Sequence, residues 1–190
     1  MKQFSLVVLL GLLTACGGLS GTGQVDLSGI KVLDQASQEA MLTAVNATRA
    51  TGRNCFKPNG ADVEFFPASS ALTLNSKLTL AAQFHAQDMA QNNFMDHKGS
   101  RGDTTLNRID ASGYAFLEVG ENLSQVTAVN ALGLQTTIDE SIKEWLISKT
   151  GHCQTLMGGQ YSEFGVGFAS AVVSGKHVYY WVQVFGKPQK

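Results

Sequence analysis

The order of the predicted elements indicates an α+β fold. Helical patterns come first, because apolar side chains recur every three to four residues from about Ser37 to Ala50 and again from Ser76 to about Asn92. The last third changes to β-branched and aromatic runs, "EFGVGFASAVV" and "HVYYWVQVF", separated by "SGK", which is a hairpin signal. Because helices and strands do not alternate regularly, we expect helices stacked on an antiparallel sheet rather than a doubly wound fold.

The remaining elements follow from the same patterns. A third helix is predicted over about Thr137 to Ser148, and a further strand over Leu117 to Val126. The stretch 50–69 contains proline and glycine and is predicted to be a loop. His85 lies on the apolar stripe of the second helix, so it is expected to be a hydrogen-bonded structural residue.

The N-terminus, "MKQFSLVVLLGLLTAC", is typical of a secretory signal peptide over residues 1–15. Lys2 precedes an apolar run from Phe4 to Leu13, which is too short to span a bilayer core of about 30 Å. The ending "LTAC" resembles the bacterial lipobox. That resemblance implies that Cys16 becomes the first residue of the mature chain and carries acyl chains such as palmitate, and Gly17 after it favours the outer membrane.

The mature chain is predicted to be a tethered single domain in the cell envelope. Residues 16–34 are rich in glycine and serine and indicate a flexible tether, and residues 35–190 are enough for one domain with a core. Loss of Lys2 with the signal peptide changes the formal net charge from -1 to -2. No basic stripe is present, so nucleic-acid binding is not expected. The expected partner is the membrane, through lipidated Cys16.

Two cysteines remain after Cys16. In an oxidising compartment Cys55 and Cys153 are most simply a disulfide, closing a loop with a sequence separation of 98. The chain-entropy model gives such a loop about 4–5 kcal/mol of stability. A thiolate nucleophile at Cys153 would have to stay reduced, which this compartment disfavours. Because Cys153 is adjacent to His152, the disulfide would hold the backbone that carries this histidine.

Three polar residues lie at the ends of predicted elements. His97 follows the second helix, Glu121 lies in or beside a strand, and His152 follows the third helix. Two imidazoles and a carboxylate can bind zinc with one position open, and they can also transfer protons near neutral pH. Their spacing alone does not bring them together, so three unrelated loop residues remain an alternative.

The order of several longer motifs adds a resemblance. The segments "LNSKLTLAAQFHAQDMAQNNFMDHKGS", "RIDASGY", "GENLS", "WLISKTGHCQTLM", "EFGVGFA" and "YYWVQVFG" occur in the order found in the CAP superfamily of cysteine-rich secretory, antigen 5 and group-one pathogenesis-related proteins. The segment "SKTGH" is similar to the bacterial branch. The resemblance implies an α-β-α sandwich with helices packed on a central, mainly antiparallel sheet.

The same resemblance implies a shared cavity formed by His97, Glu121 and His152. Eukaryotic members have a second glutamate three residues after the helix tryptophan, where this chain has Ser148, an accessory residue of the expected cavity. Divalent-metal binding should therefore be weaker than with two acids. A Ser148–His152–Glu121 triad can be drawn, but no nucleophile elbow is present, and a structural role for the serine is the preferred interpretation.

The predicted function is a lipid-anchored, extracytoplasmic CAP-domain protein whose cleft binds a divalent metal such as zinc or a small ligand. One alternative is a metal-dependent hydrolase of peptides or envelope material, in which Glu121 or an imidazole activates a metal-bound water. Another is a lipid- or sterol-binding module that uses an apolar groove. The sequence assigns no catalytic residue.

Overall fold

The computed structural model describes residues 25–58 and 60–189. The predicted signal peptide, the predicted lipidation at Cys16 and the first part of the predicted tether lie outside these residues. The described part of the tether, 25–34, forms no helix or strand and ends against the second helix, where the Leu33 amide donates to Gln83 Oε1 at 3.2 Å.

The chain forms five helices and six strands within the described residues. The helices are α1 (Gln35–Arg49), α2 (Ser76–Asn92), α3 (Thr105–Ala111), α4 (Leu134–Leu146) and α5 (His152–Met157). The strands are β1 (Arg53–Phe56), β2 (Val63–Phe66), β3 (Thr73–Leu74), β4 (Phe116–Ala128), β5 (Glu163–Val173) and β6 (Lys176–Pro188).

The main sheet is mostly antiparallel, with the order β3-β5-β6-β4. Strands β5 and β6 form the predicted hairpin, and the two-residue turn at Ser174 and Gly175 has φ values of 50° and 75°. Positive φ at both positions matches the twist of the flanking strands. Strand β4 pairs antiparallel with β6, and β3 adds a short parallel pairing to β5.

Helices cover both faces of this sheet and give the predicted α-β-α sandwich. Helix α2 packs on β5 and β6 and shares one hydrophobic core with them; Leu78, Ala82 and Met89 lie in this core. Helices α1, α4 and α5 enclose a second core on the opposite face, which contains Trp145 and Trp181. None of the helices in the described part of the chain is long and apolar enough to cross a membrane.

The predicted boundaries of helices and strands are most accurate where buried side chains recur at a regular spacing. Helix α2 begins and ends as predicted, and Asn75 caps it by accepting from the amides of Lys77 and Leu78. Helix α4 begins a turn earlier than predicted, at Leu134, after Gly133 at the N-cap. The predicted loop 50–69 was wrong in part, because it contains the hairpin of β1 and β2, whose pairing places Cys55 opposite Glu64.

Helix α2 lies unusually close to β5, at two glycines of that strand. A Cβ atom at Gly165 would collide with the backbone of Leu78 and Thr79, and one at Gly167 would collide with the backbone of Ala82. Because backbone cannot move aside as a side-chain end can, the absence of a side chain at these two positions sets the distance between helix and sheet.

We expect Gly165→Ala to lower the free energy of unfolding by about 1–3 kcal/mol, the usual cost of overpacking a core. Chemical denaturation of the full chain measures this effect. Gly159→Ala is the matched control, because its Cβ would meet only Ser69 Oγ at 3.6 Å, an ordinary contact. Equal unfolding midpoints for Gly165→Ala and the control would contradict this account of the helix–sheet contact.

Candidate functional site

The structure brings His97, Glu121 and His152 together beside the middle of β4. Glu121 lies in β4, His97 lies in the loop after α2, and His152 is the first residue of α5. His97 Nδ1 is 2.8 Å from Glu121 Oε1, and the ring centroids of His97 and His152 are 6.4 Å apart with an interplanar angle of 56°. The imidazole of His97 therefore contacts the carboxylate and has the second imidazole as a neighbour.

Both oxygens of Glu121, which the sequence analysis expected as a metal ligand, already take part in hydrogen bonds. Its side chain is only 3% exposed. Besides the contact with His97, Oε1 accepts from the Thr105 hydroxyl at 2.8 Å. The Arg108 guanidinium donates to Oε1 at 3.2 Å and to Oε2 at 3.0 Å. These contacts fix the carboxylate and direct it at His97 Nδ1.

Arg108 is the functional residue that sequence reasoning missed. Its side chain is 1% exposed, and it also donates to Asp103 Oδ2 at 2.8 Å and to the carbonyl of His97 at 2.9 Å. It thereby joins the loop that carries His97 to the strand that carries Glu121. A signal was present in the sequence, because Thr104 and Asn107 form a capping box that begins α3 and could have indicated this helix.

Helix α5, and with it His152, is held from several sides. The Cys55–Cys153 disulfide is confirmed, and it ties α5 to β1. The buried guanidinium of Arg49 donates to the Leu156 carbonyl at 2.6 Å and to the Gly158 carbonyl at 3.0 Å. At the other end of the helix, Asn122 Nδ2 donates to the carbonyl of His152 at 3.1 Å. The backbone at His152 is therefore fixed while its imidazole stays partly exposed.

Comparison with known proteins identifies the family. The family model for CAP, the cysteine-rich secretory protein family, matches residues 67–185. This stretch contains both histidines, Glu121 and Arg108. The chain belongs to the CAP family.

Solved structures share the fold of this CAP domain at low sequence identity. An extracellular protein containing an SCP domain from Bacillus anthracis has a TM-score of 0.55 and 20% identity, over 80% of this chain and 40% of that one. An outer surface protein of Borrelia burgdorferi has a TM-score of 0.57 and 18% identity, over 84% of this chain and 98% of that one. NaASP2, solved with Zn²⁺, has a TM-score of 0.53 and 13% identity, over 83% of this chain and 82% of that one. No curated protein matches the sequence.

The two histidines of the CAP domain have opposite electrostatic environments. The hydrogen bond to Glu121 raises the pKa of His97 above its ordinary value, although partial burial opposes this. Burial lowers the pKa of His152, and the nearby charge of His97 lowers it further. Burial alone would raise the pKa of Glu121, but the hydrogen bond from His97 and the charge of Arg108 outweigh it and lower this pKa. Near neutral pH the carboxylate is ionised, so it accepts a hydrogen bond from Nδ1–H of His97.

Two other sequence-predicted residues lie outside this contact set. The Ser148 hydroxyl is 2.9 Å from Thr150 Oγ1 and accepts from the Thr150 amide at 3.1 Å, as expected of a serine at a helix end. His85 is fully buried in α2 and its Nε2 is 2.8 Å from the carbonyl of Asp96, which agrees with a structural role. Burial lowers the pKa of His85, and the charge of Arg108 lowers it further.

The arrangement fits a metal through two imidazoles better than through the three predicted ligands. No group of three or more His, Cys, Asp or Glu side chains in the described ranges is arranged to hold a metal ion. At the predicted site, both oxygens of Glu121 already take part in hydrogen bonds. The Nε2 atom of His97 has no partner among the described residues, and the ring of His152 lies next to it.

A groove of about 410 Å³ extends from His152 along the outer edge of β4. Its walls come from the loop after α2, from β4 and from α4. The residues that line it are Met95, Leu123, Ser124, Gln125, Glu144, Trp145, Ser148 and His152.

We expect the two imidazoles to titrate separately, His97 above and His152 below the ordinary histidine pKa, in an NMR titration of the ring resonances. Glu121→Gln should lower the pKa of His97, because an amide cannot stabilise the imidazolium as a carboxylate does. Since its folded pKa is raised, protonated His97 stabilises the fold below its unfolded pKa, and this contribution is lost as the pH rises through the folded pKa.

Glu140→Gln is the control for this titration, because Glu140 lies on the exposed side of α4 and its side chain is 48% exposed. Glu140→Gln should leave both imidazole titrations unchanged. A common pKa for the two rings in the wild-type protein would contradict the description of the site.

Proposed function

We propose that the protein is an extracytoplasmic, lipid-anchored CAP-domain protein whose cleft binds a divalent metal such as zinc through the imidazoles of His97 and His152. The observation that carries the proposal is the hydrogen bond of 2.8 Å between His97 Nδ1 and Glu121 Oε1. It fixes the ring and leaves Nε2 for a ligand. A carboxylate behind a histidine is the usual outer partner of a metal-binding imidazole.

The roles of the three residues differ in this proposal. His97 and His152 are the ligands, and Glu121 is a positioning residue that acts through His97. Two imidazoles on one tetrahedral zinc have ring centroids roughly 5 Å apart, given Zn–N distances of about 2.1 Å. The observed separation is 6.4 Å, so binding requires the rings to approach each other. The side chain of His97 is 54% exposed and has room to move.

Zinc is favoured over harder cations by the donor set. Imidazole nitrogen suits zinc and similar transition metals, whereas calcium and magnesium require several oxygen ligands. NaASP2, which shares this fold, was solved with Zn²⁺. When bound, zinc supplies a Lewis-acid centre that polarises a coordinated group.

In the hydrolase alternative, Glu121 is a poor candidate for the general base. A general base that activates water needs a free acceptor, and both oxygens of Glu121 already accept from Arg108, with Thr105 and His97 also on Oε1. His152 combines a lowered pKa with a position on the groove. We therefore propose binding as the function of the cleft and assign no reaction to it.

Isothermal titration of zinc into the full chain tests the metal proposal. His97→Ala and His152→Ala should each abolish the cleft's zinc binding, and Glu121→Gln should weaken it by about 10–100-fold, as loss of an outer-shell partner does. Affinity should rise with pH through the raised pKa of His97, because the metal displaces a proton from Nε2.

His177→Ala is the control for these variants, since His177 lies at the start of β6, away from the cleft. Zinc binding that is equal in the wild type, His97→Ala and His152→Ala would refute the proposed ligands. An affinity that falls as pH rises through the His97 titration would refute the proton competition.

The location of the protein is the second part of the proposal. Proteins with this fold include an extracellular protein of Bacillus anthracis and an outer surface protein of Borrelia burgdorferi. The Cys55–Cys153 disulfide also suits an oxidising compartment. The lipobox-like "LTAC" then supports anchoring through acylated Cys16, with the outer membrane favoured by Gly17.

We expect Cys16→Ser to release the protein from membranes when the full chain is produced in a diderm bacterium and fractionated. Loss of the thiol removes the attachment point of the acyl chains that give stable anchoring. Gly18→Ser, two residues away, should leave the protein in the membrane fraction. Equal membrane recovery of the wild type and Cys16→Ser would contradict the lipid anchor.

A further inference from the structure

The groove contains a carboxylate, that of Glu144, to which the metal proposal gives no role. Glu144 lies in α4, one turn before Ser148, and lines the groove that His152 also lines. Side chains four residues apart share one face of a helix, so this carboxylate lies on the groove side of α4. The question is which ligand chemistry it serves.

Buried hydroxyl groups hold this carboxylate in place. The Ser124 hydroxyl donates to Glu144 Oε2 at 2.7 Å, and Ser124 Oγ is 2.8 Å from Ser141 Oγ. A hydroxyl has one hydrogen, so Ser141 must donate to Ser124 when Ser124 donates to Glu144. Both serines are buried, at 1% and 0% exposure. The hydrogen bonds thus run from Ser141 to Ser124 and from Ser124 to Glu144 Oε2. Glu144 Oε1 has no partner among the described residues.

The register of the sheet places a main-chain acceptor in the same groove. The two-residue turn makes Val173 and Lys176 a hydrogen-bonded pair, so even-numbered residues of β6 bond to β5 and odd-numbered residues bond to β4. Leu123 and Gln125 are paired with even-numbered residues of β6, so their backbone groups point away from the sheet.

One contact agrees with this register. Trp145 Nε1 donates to the Leu123 carbonyl at 2.7 Å, from outside the sheet. The next outward carbonyl, that of Gln125, has no partner in the described part of the chain. The groove therefore combines a fixed carboxylate with the outward carbonyl and N–H of Gln125, backbone groups of an edge strand with which an extended peptide can pair. The carboxylate of Glu144 suits a ligand group that donates hydrogen bonds and carries positive charge.

We propose that Glu144 is a recognition residue for the cationic side chain of a peptide, a lysine ammonium or an arginine guanidinium, bound in the groove beside β4. A metal ion is a poorer occupant of this place, because Glu144 belongs to no metal-holding group of the described residues. A basic side chain can donate to Oε1 of Glu144 and to the Gln125 carbonyl together. The inference uses the cleft proposed above for binding, but it does not require zinc.

The two tryptophans provide a reporter and an internal control. The chain has two tryptophans. The Trp145 indole lines the groove, whereas Trp181 Nε1 donates to Thr137 Oγ1 at 3.1 Å inside the core. A ligand in the groove should shift the indole N–H resonance of Trp145 in an NMR spectrum and leave that of Trp181 unchanged.

The experiment titrates the full chain, with EDTA present, with acetyl-Gly-Lys-Gly-amide and with acetyl-Gly-Gln-Gly-amide. The Lys peptide should shift the Trp145 resonance saturably and bind about threefold to fivefold more tightly than the Gln peptide at low salt, the range for an exposed ion pair. The preference should fall with added salt. Glu144→Gln should remove it and Glu144→Asp should restore part of it. Asp139→Asn should keep it, because exposed Asp139 is five residues from Glu144 and lies on another face of α4.

Equal affinities for the two peptides, an unchanged lysine preference in Glu144→Gln, or no shift of the Trp145 resonance with either peptide would overturn the inference. Because EDTA removes metal, these results do not depend on the imidazole site. Conversely, loss of zinc binding in His97→Ala with the lysine preference intact would leave both proposals standing.

Discussion

The buried guanidinium of Arg108 is the interaction on which the geometry of the cleft depends. It lies between the carboxylates of Asp103 and Glu121, whose side chains are 2% and 3% exposed, and it also holds the carbonyl of His97. Removal of one partner from such a buried set costs about 3–5 kcal/mol, because a charge is left unpaired. With Arg108 in place, Glu121 remains an anion, and only an anion both orients the His97 ring and raises its pKa.

The other imidazole depends on covalent and backbone contacts instead of charge. Helix α5 is short, and a helix of this length is not stable by itself. The Cys55–Cys153 disulfide and the Arg49 contacts to the carbonyls at its C-terminal end hold it against the rest of the domain. The two halves of the cleft thus come from distant parts of the chain and are fixed by different physical means. His97 is set by a buried ion network, and His152 by a crosslinked helix.

Sequence reasoning predicted the parts of this structure that repeat and missed the parts that depend on single contacts. Helix α2 and the β5–β6 hairpin were predicted well, because burial on one face imposes a period on many residues. The hairpin of β1 and β2 was missed, since each strand has only four residues and the alternating apolar residues Val63 and Phe65 are exposed instead of facing a core. The placement of His97, Glu121 and His152 in one cavity came from the family resemblance, because residues so far apart in the chain carry no local geometry.

The role of Glu121 could not be predicted, because a carboxylate's chemistry depends on which of its oxygens are already bonded. In the sequence it is one acid between two histidines and therefore a candidate ligand. In the fold, the short helix α3, which the sequence analysis did not predict, brings Thr105 and Arg108 to the same oxygens. These donors change the carboxylate from a ligand into a support for His97. A cleft built this way keeps its negative charge buried behind one ring and leaves imidazole nitrogen exposed. The preference that we propose, for transition metals over calcium or magnesium, would therefore follow from Arg108 as much as from the histidines.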